Sequence, residues 1–94
     1  MSIKFEWDTR KARQNVQKHH VEFSEATTVF ADTLSITIPD PDHSGDEERW
    51  VTIGLSNRQR LLVVVHSEAE ETVRIISART ADRLERRKHE EGDS

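Results

Sequence analysis

The hydrophobic positions of this chain change period twice. At the start, Ile3 and Phe5 flank Lys4, the alternation of a short edge strand. Asp8 stands where a helix N-cap belongs. Ala12 and Val16, four apart, then share one face of a helix running to about Lys18. Phe23, Ala26, Val29 and Phe30 form a second apolar stripe at helical spacing, with Ser24 as the expected cap. The join near His20 to Glu22 is short, so the two helices are expected to form a hairpin. From Thr33 the period is two, with Leu34, Ile36 and Ile38 alternating with Ser35 and Thr37 as in a strand. Pro39, Pro41 and Gly45 mark a long polar loop. Arg49 to Leu55, Arg60 to Ser67 and Thr72 to Arg79 read as three further strands, and the apolar run Leu61 to Val65 suits a central one. Thr80 can cap a last helix through about Glu91, with Gly92 at its C-terminal side. Ala81 and Leu84 are that helix's only apolar residues, so it is either loosely docked or completed by a partner. The pattern predicts one α+β domain over residues 1–94. An N-terminal helical hairpin packs on an antiparallel meander sheet, and a C-terminal helix follows.

The connections Ser56–Gln59 and Glu68–Glu71 are short enough to be direct hairpins. Counted so, they place Leu55 opposite Arg60, Arg49 opposite His66, Ser67 opposite Thr72 and Arg60 opposite Arg79. Side chains alternate faces along a strand, so Arg49, Arg60, His66 and Arg79 are expected on one face. Val51, Ile53, Leu62, Val64, Val73 and Ile75 lie between them, and Trp50, Val65 and Arg74 line up on the other face. Arg60 and Arg79 then occupy one end of the sheet, with Arg49 and His66 about 20 Å away at the other. Like charges directly opposite repel, so Arg60 facing Arg79 calls for an acidic neighbour or a bound anion.

Composition narrows what such a sheet can hold. Only 33% of the 94 residues are hydrophobic and 34% are charged, which means a small core that a partner could help to cover. The absence of cysteine removes a disulfide framework and any thiol nucleophile, and fits the cytoplasmic location expected here. No apolar run approaches the roughly 20 residues that span a bilayer, and Met1 to Asp8 hold no signal-peptide core. The net charge of −4 argues at first against a nucleic-acid partner. Its distribution argues differently. Residues 1–20 carry five bases and two acids, residues 21–48 eight acids and no base, residues 49–67 three bases and no acid, and residues 68–94 six bases and eight acids. One acidic stretch separates two basic ones, and that is compatible both with a phosphate-binding surface and with an ordinary solvated one.

Several residues carry candidate chemistry. His66 can serve as general acid or base near neutral pH, or simply end a strand with a backbone partner. Arg49 beside it would stabilise phosphate charge. Lys18 and His19 can join a phosphate site or act as favourable cations at a helix C-terminus. Trp50 can stack a base beside Arg74, or pack under a helix. Arg83, with Arg86, Arg87 and Lys88, can track RNA or belong to a salt-bridged solvated helix. His43 among Asp40, Asp42, Asp46 and Glu47 matches no zinc or EF-hand spacing and reads as a solvated acidic loop, so no metal or cofactor is expected. No phosphate-binding glycine loop or nucleophile-elbow motif is present.

Taken in order, Phe5-Glu6-Trp7-Asp8, Lys11, Asn15, Lys18-His19, Val21, Phe23, Glu25-Ala26 and Phe30 resemble the BrnT toxin family. The resemblance continues through Pro39-Asp40, His43, Glu47-Glu48-Arg49, Gly54, Leu61 to His66, Arg74 to Arg79, Arg83 and Glu85-Arg86. It covers nearly the whole chain. It implies a RelE-like fold, a ribonuclease activity, and a type II toxin–antitoxin partnership. The implied partner is BrnA, a ribbon-helix-helix antitoxin through which the complex reaches operator DNA and represses its own operon. The chain has no tyrosine, unlike many RelE-type enzymes, so weight shifts to His66, His19 and the arginines.

The expected mechanism is metal-independent cleavage of RNA. A base takes the ribose 2′-OH proton, an acid protonates the leaving 5′-oxygen, and arginines stabilise the phosphorane charge. His66 and Arg49 are the leading catalytic pair, and Lys18 and His19 the second. Arg60, Arg79, Arg74, Trp50 and Arg83 are expected to bind RNA. The alternative is a non-catalytic module that only binds its antitoxin or a translation component.

Overall fold

The computed structural model describes residues 3–40 and 48–91. The loop around Pro41, His43, Gly45 and Glu47, and the expected helix end at Gly92, lie outside the described residues. The elements are β1 (Lys4–Glu6), α1 (Thr9–His19), α2 (Phe23–Thr27), a 3-10 turn (Thr28–Ala31), β2 (Ile36–Pro39), β3 (Trp50–Leu55), β4 (Leu61–Ala69), β5 (Thr72–Thr80) and α3 (Arg83–Glu91). They form one five-stranded sheet in the order β1-β5-β4-β3-β2. Strands β2 to β5 pair antiparallel in chain order, but β1 joins β5 in parallel, so the sheet is mixed and not antiparallel throughout.

The caps explain where the helices start. Asp8 caps α1 by accepting the Lys11 N–H at 3.0 Å. Ser24 lies inside α2. Glu22 is that helix's N-cap residue and makes no side-chain cap hydrogen bond, standing between the buried Val21 and Phe23. Thr80 belongs to β5, and α3 is capped by Asp82 instead. Asp82 Oδ1 accepts the Glu85 N–H at 2.7 Å and Glu85 Oε1 accepts the Asp82 N–H at 2.9 Å, a reciprocal capping box.

Both expected registers are corrected. The β3–β4 connection holds five residues, 56–60, with Gln59 in the left-handed region at φ 65°. Arg60 is therefore outside β4, Leu55 faces Leu61, and His66 faces Trp50 in place of Arg49. The β4–β5 turn is shorter than expected. Glu70, at φ 56°, and Glu71 form it alone, and Ala69 faces Thr72. Strand β5 also bulges at Ile76, so Val65 faces Ser77 while His66 faces Ile75. Arg79 consequently faces Val63 and never meets Arg60.

Helices α1 and α2 and the 3-10 turn cover one face of the sheet. Val21, Phe23, Ala26 and Val29 pack there on Leu62, Val64, Val73, Ile75 and Ala78, with Phe5, Trp7, Ala12 and Phe30 around them. The 3-10 turn comes close to β3, and only glycine fits at position 54. A Cβ there would lie 2.8 Å from both Val29 Cγ1 and Ser35 Cβ. Asn15 is the buried polar residue of α1. Its amide nitrogen donates to Val21 O at 2.9 Å and Ala78 O at 2.7 Å, and its oxygen accepts the Ala78 N–H at 3.1 Å. Strand β1 pairs with β5 only as far as Arg74, so this side chain takes over where β1 stops.

The opposite face carries two cross-strand rows. Ile38, Val51, Val65 and Ser77 form one, and Ile36, Ile53, Val63 and Arg79 the other. Each row has three aliphatics and ends in a polar residue of β5.

Candidate functional site

His66 occupies the core and not an accessible strand end. Its side chain is 0% exposed and lies edge-on to Phe30, with ring centroids 4.9 Å apart. Nε2 shares a 2.7 Å hydrogen bond with the Thr52 hydroxyl, which is itself 2.7 Å from the Thr37 hydroxyl. Among the described residues Nδ1 has no hydrogen-bond partner, and a Glu68 carboxylate oxygen lies 3.7 Å away. Burial pushes the imidazole pKa down to about 4, so the ring is neutral at physiological pH. Trp50 shares the helix-covered face with His66, so it does not line up with Val65 and Arg74. Arg49 is half-buried and keeps an Nε without a hydrogen-bond partner among the described residues.

Three of the other arginines, Arg60, Arg74 and Arg79, are held by carboxylates. Arg60 donates through Nε to Glu25 Oε2 at 3.0 Å, forms a close ion pair with Glu25 Oε1, and donates to His20 O at 3.2 Å. Glu25 also accepts the Ser56 hydroxyl at 2.6 Å. The Arg60 hydrogen bond holds the Glu25 carboxyl below its usual range, against the opposing effect of burial. Arg79 makes two 2.7 Å bonds to Glu85, and Arg74 makes one of 2.7 Å to Glu6. Arg83 is exposed on the first turn of α3.

Lys18 and His19 are brought together at an open site. With Lys11, Gln14 and Asn15 they line a cleft of about 250 Å³ between α1 and the bulge of β5, where Ile76 and Ser77 complete the wall. Lys11, Asn15 and Lys18 fall at i, i+4 and i+7, so a single helical stripe supplies two ammonium groups and the amide that fixes the helix on β5. Among the described residues no carboxylate lines the cleft. The arrangement can bind a phosphate and offers one imidazole to move a proton. Reading the sequence missed Lys11, Gln14 and Ser77, although the stripe was visible in the spacing. Glu25 and Asn15 escaped because their partners are 35 and 63 positions away.

Ser77 also lines a second depression, of about 420 Å³, on the opposite face of the sheet. Ile38, Val51, Ile53, Val63 and Val65 form its floor, and Asp40, Arg79, Glu85 and Lys88 its rim. Among the described residues no group of three or more His, Asp or Glu is placed to hold a metal, and no helix is long and apolar enough to cross a membrane.

Comparison with known proteins agrees with this architecture. The chain is similar in structure to the ribonuclease toxin BrnT of Brucella abortus, known from a 1.1 Å crystal structure. The TM-score is 0.64 at 21% identity, covering 87% of this chain and 100% of that one. A comparison with curated protein sequences returns no match. Residues 7–85 match the sequence model of a family described as the ribonuclease toxin, BrnT, of type II toxin–antitoxin systems. The chain therefore belongs to the BrnT family of ribonuclease toxins.

Proposed function

We propose that the chain is a metal-independent endoribonuclease whose chemistry takes place in the α1–β5 cleft. The supporting observation is its lining, with Lys11, Lys18 and His19 converging on one opening that no carboxylate lines among the described residues. The lysines bind the phosphodiester, which is attracted wherever fixed cations stand without acids. The His19 imidazole serves as acid or base. The ribose 2′-oxygen loses its proton and bonds to phosphorus. The bond to the 5′-oxygen breaks, and that oxygen takes up a proton. Lys18 and His19 carry this reaction in preference to His66 and Arg49, because a sealed imidazole cannot touch a ribose without opening the sheet.

On the same reading the fold is RelE-like and the protein is cytoplasmic. A BrnA-like ribbon-helix-helix antitoxin neutralises it, and operator DNA is reached only through that antitoxin. The test is incubation of the purified chain with RNA in excess EDTA. Fragments ending in 2′,3′-cyclic phosphate and 5′-hydroxyl are expected. RNA that stays bound and uncut would replace the enzyme by a binding module.

A further inference from the structure

The sheet face opposite the helical hairpin is incompletely covered. Its two rows place six aliphatics side by side, Ile36, Ile38, Val51, Ile53, Val63 and Val65. Val63 is buried, Ile36, Val51, Ile53 and Val65 are half-buried, and Ile38 is exposed, so this apolar surface stays partly open, as at an interaction site. The element lying over it, α3, is poorly suited to the task. Its one long apolar side chain, Leu84, is 61% exposed, and it reaches the depression through Glu85 and Lys88. It is tethered at its start by the Arg79–Glu85 pair and the Asp82 capping box. Ile38, on the open side of the floor, remains 45% exposed.

The charge around the face selects its occupant. From Arg83 to Lys88 the helix carries Arg83, Arg86, Arg87 and Lys88 against a single acid, Glu85, whose carboxylate is already engaged by Arg79 and the Asp82 N–H. Glu90 and Glu91 follow this basic stretch, but beside the apolar floor it is the stretch from Arg83 to Lys88 that fits an acidic amphipathic protein segment. The floor offers a nucleic acid no aromatic platform and no polar base reader.

We propose that the antitoxin of this type II pair docks here. It inserts aliphatic side chains over Ile38, Val51 and Val65 and sets carboxylates against the Arg83–Lys88 stretch. The proposal rests on membership of a type II toxin–antitoxin family and not on the α1–β5 cleft. Ser77 borders both depressions, so an occupant of this face also reaches the rim of the cleft.

The full-length chain is titrated calorimetrically with its cognate antitoxin, alongside Ile38→Asp and, as a control on the groove between α1 and α2 that Trp7, Ala12, Val16 and Phe23 line, Val16→Asp. Ile38→Asp is expected to weaken binding by about tenfold or more, and Val16→Asp to leave it unchanged. Methyl NMR of the unmutated chain supplies a second measurement that needs no variant to fold. The Ile36, Ile38, Val51 and Ile53 signals should shift on addition of antitoxin. Unchanged affinity for Ile38→Asp, or shifts confined to the Trp7–Val16 groove, would overturn the proposal. So would the same shifts appearing on concentration of the chain alone or on addition of RNA, because a second copy or a nucleic acid would then be the occupant. No binding by the antitoxin overturns the partnership itself. RNA cleavage on the same samples reports separately on the cleft.

Discussion

Arg60 donates to both carboxylate oxygens of Glu25, tying α2 to the turn between β3 and β4. The two side chains are unequally sheltered, at 33% and 4% exposed, so losing the arginine strands a nearly buried carboxylate. Arg60→Ala is expected to lower stability by roughly 2–4 kcal/mol in urea denaturation, somewhat less than a fully buried pair would cost. RNA cleavage at a temperature where the variant is folded should be unchanged. A selective loss of RNA binding with full stability would return Arg60 to the RNA surface.

His66 gives stability a pH dependence with a definite sign. Its folded pKa, about 4, lies below its ordinary 6.5, so between these values the unfolded chain binds the proton more tightly. The stabilisation is complete above about pH 6.5 and is lost as pH falls towards 4, and on the order of 3 kcal/mol is at stake. Unfolding midpoints measured at pH 7.5 and 4.5 should differ accordingly. His66→Gln should flatten that difference, and a slope that survives the substitution would assign it to other groups.

The cleft residues should separate chemistry from binding. His19→Ala is expected to slow RNA cleavage by about 100-fold or more. Lys18→Ala should mainly weaken RNA binding and reduce the dependence of log affinity on log salt by about one unit. Lys18 is exposed and changes stability by no more than about 0.5 kcal/mol. Single-turnover cleavage and salt titrations of binding read the two effects.

Gly54 tests the close approach of Val29 and Ser35 to β3. Gly54→Ala places a methyl against Val29 and Ser35, and overpacking of this kind costs about 1–3 kcal/mol. The thermal midpoint should fall. A neutral outcome would mean that the 3-10 turn yields freely.

The elements were legible because their periods differ, with Ala12 and Val16 four apart and Ile36 and Ile38 two apart. Register was not legible, since it depends on turn lengths that distant residues set. Glu25, thirty-five positions away, draws Arg60 into the connection, and the left-handed Glu70 lets two residues close a turn where four acidic or small ones stood available. Each of these moved the pairing and separated the expected Arg49–His66 and Arg60–Arg79 pairs. The burial of His66 follows from its place on β4 in line with Leu62 and Val64, on the face that Phe30 and its neighbours cover; the first shift only exchanged its β3 partner, from Arg49 to Trp50. Lys18 and His19 could be read as cations near a helix end, but the wall facing them comes from a bulge at Ile76 that no local pattern announces.

The bonds between Asn15 and Ala78 have a bearing on how copies of the chain meet. An open strand edge offers unpaired amides and carbonyls to any other chain, and this is how sheets fuse and aggregates grow. Beyond Arg74, β5 would be such an edge, and the Asn15 amide already fills the pairing position at Ala78. At the far side, β2 is only four residues long and ends in Pro39, which has no N–H to offer. Replacing Asn15 would thus loosen a helix and also uncover a place for foreign strands to attach, so solubility at high concentration should suffer along with stability.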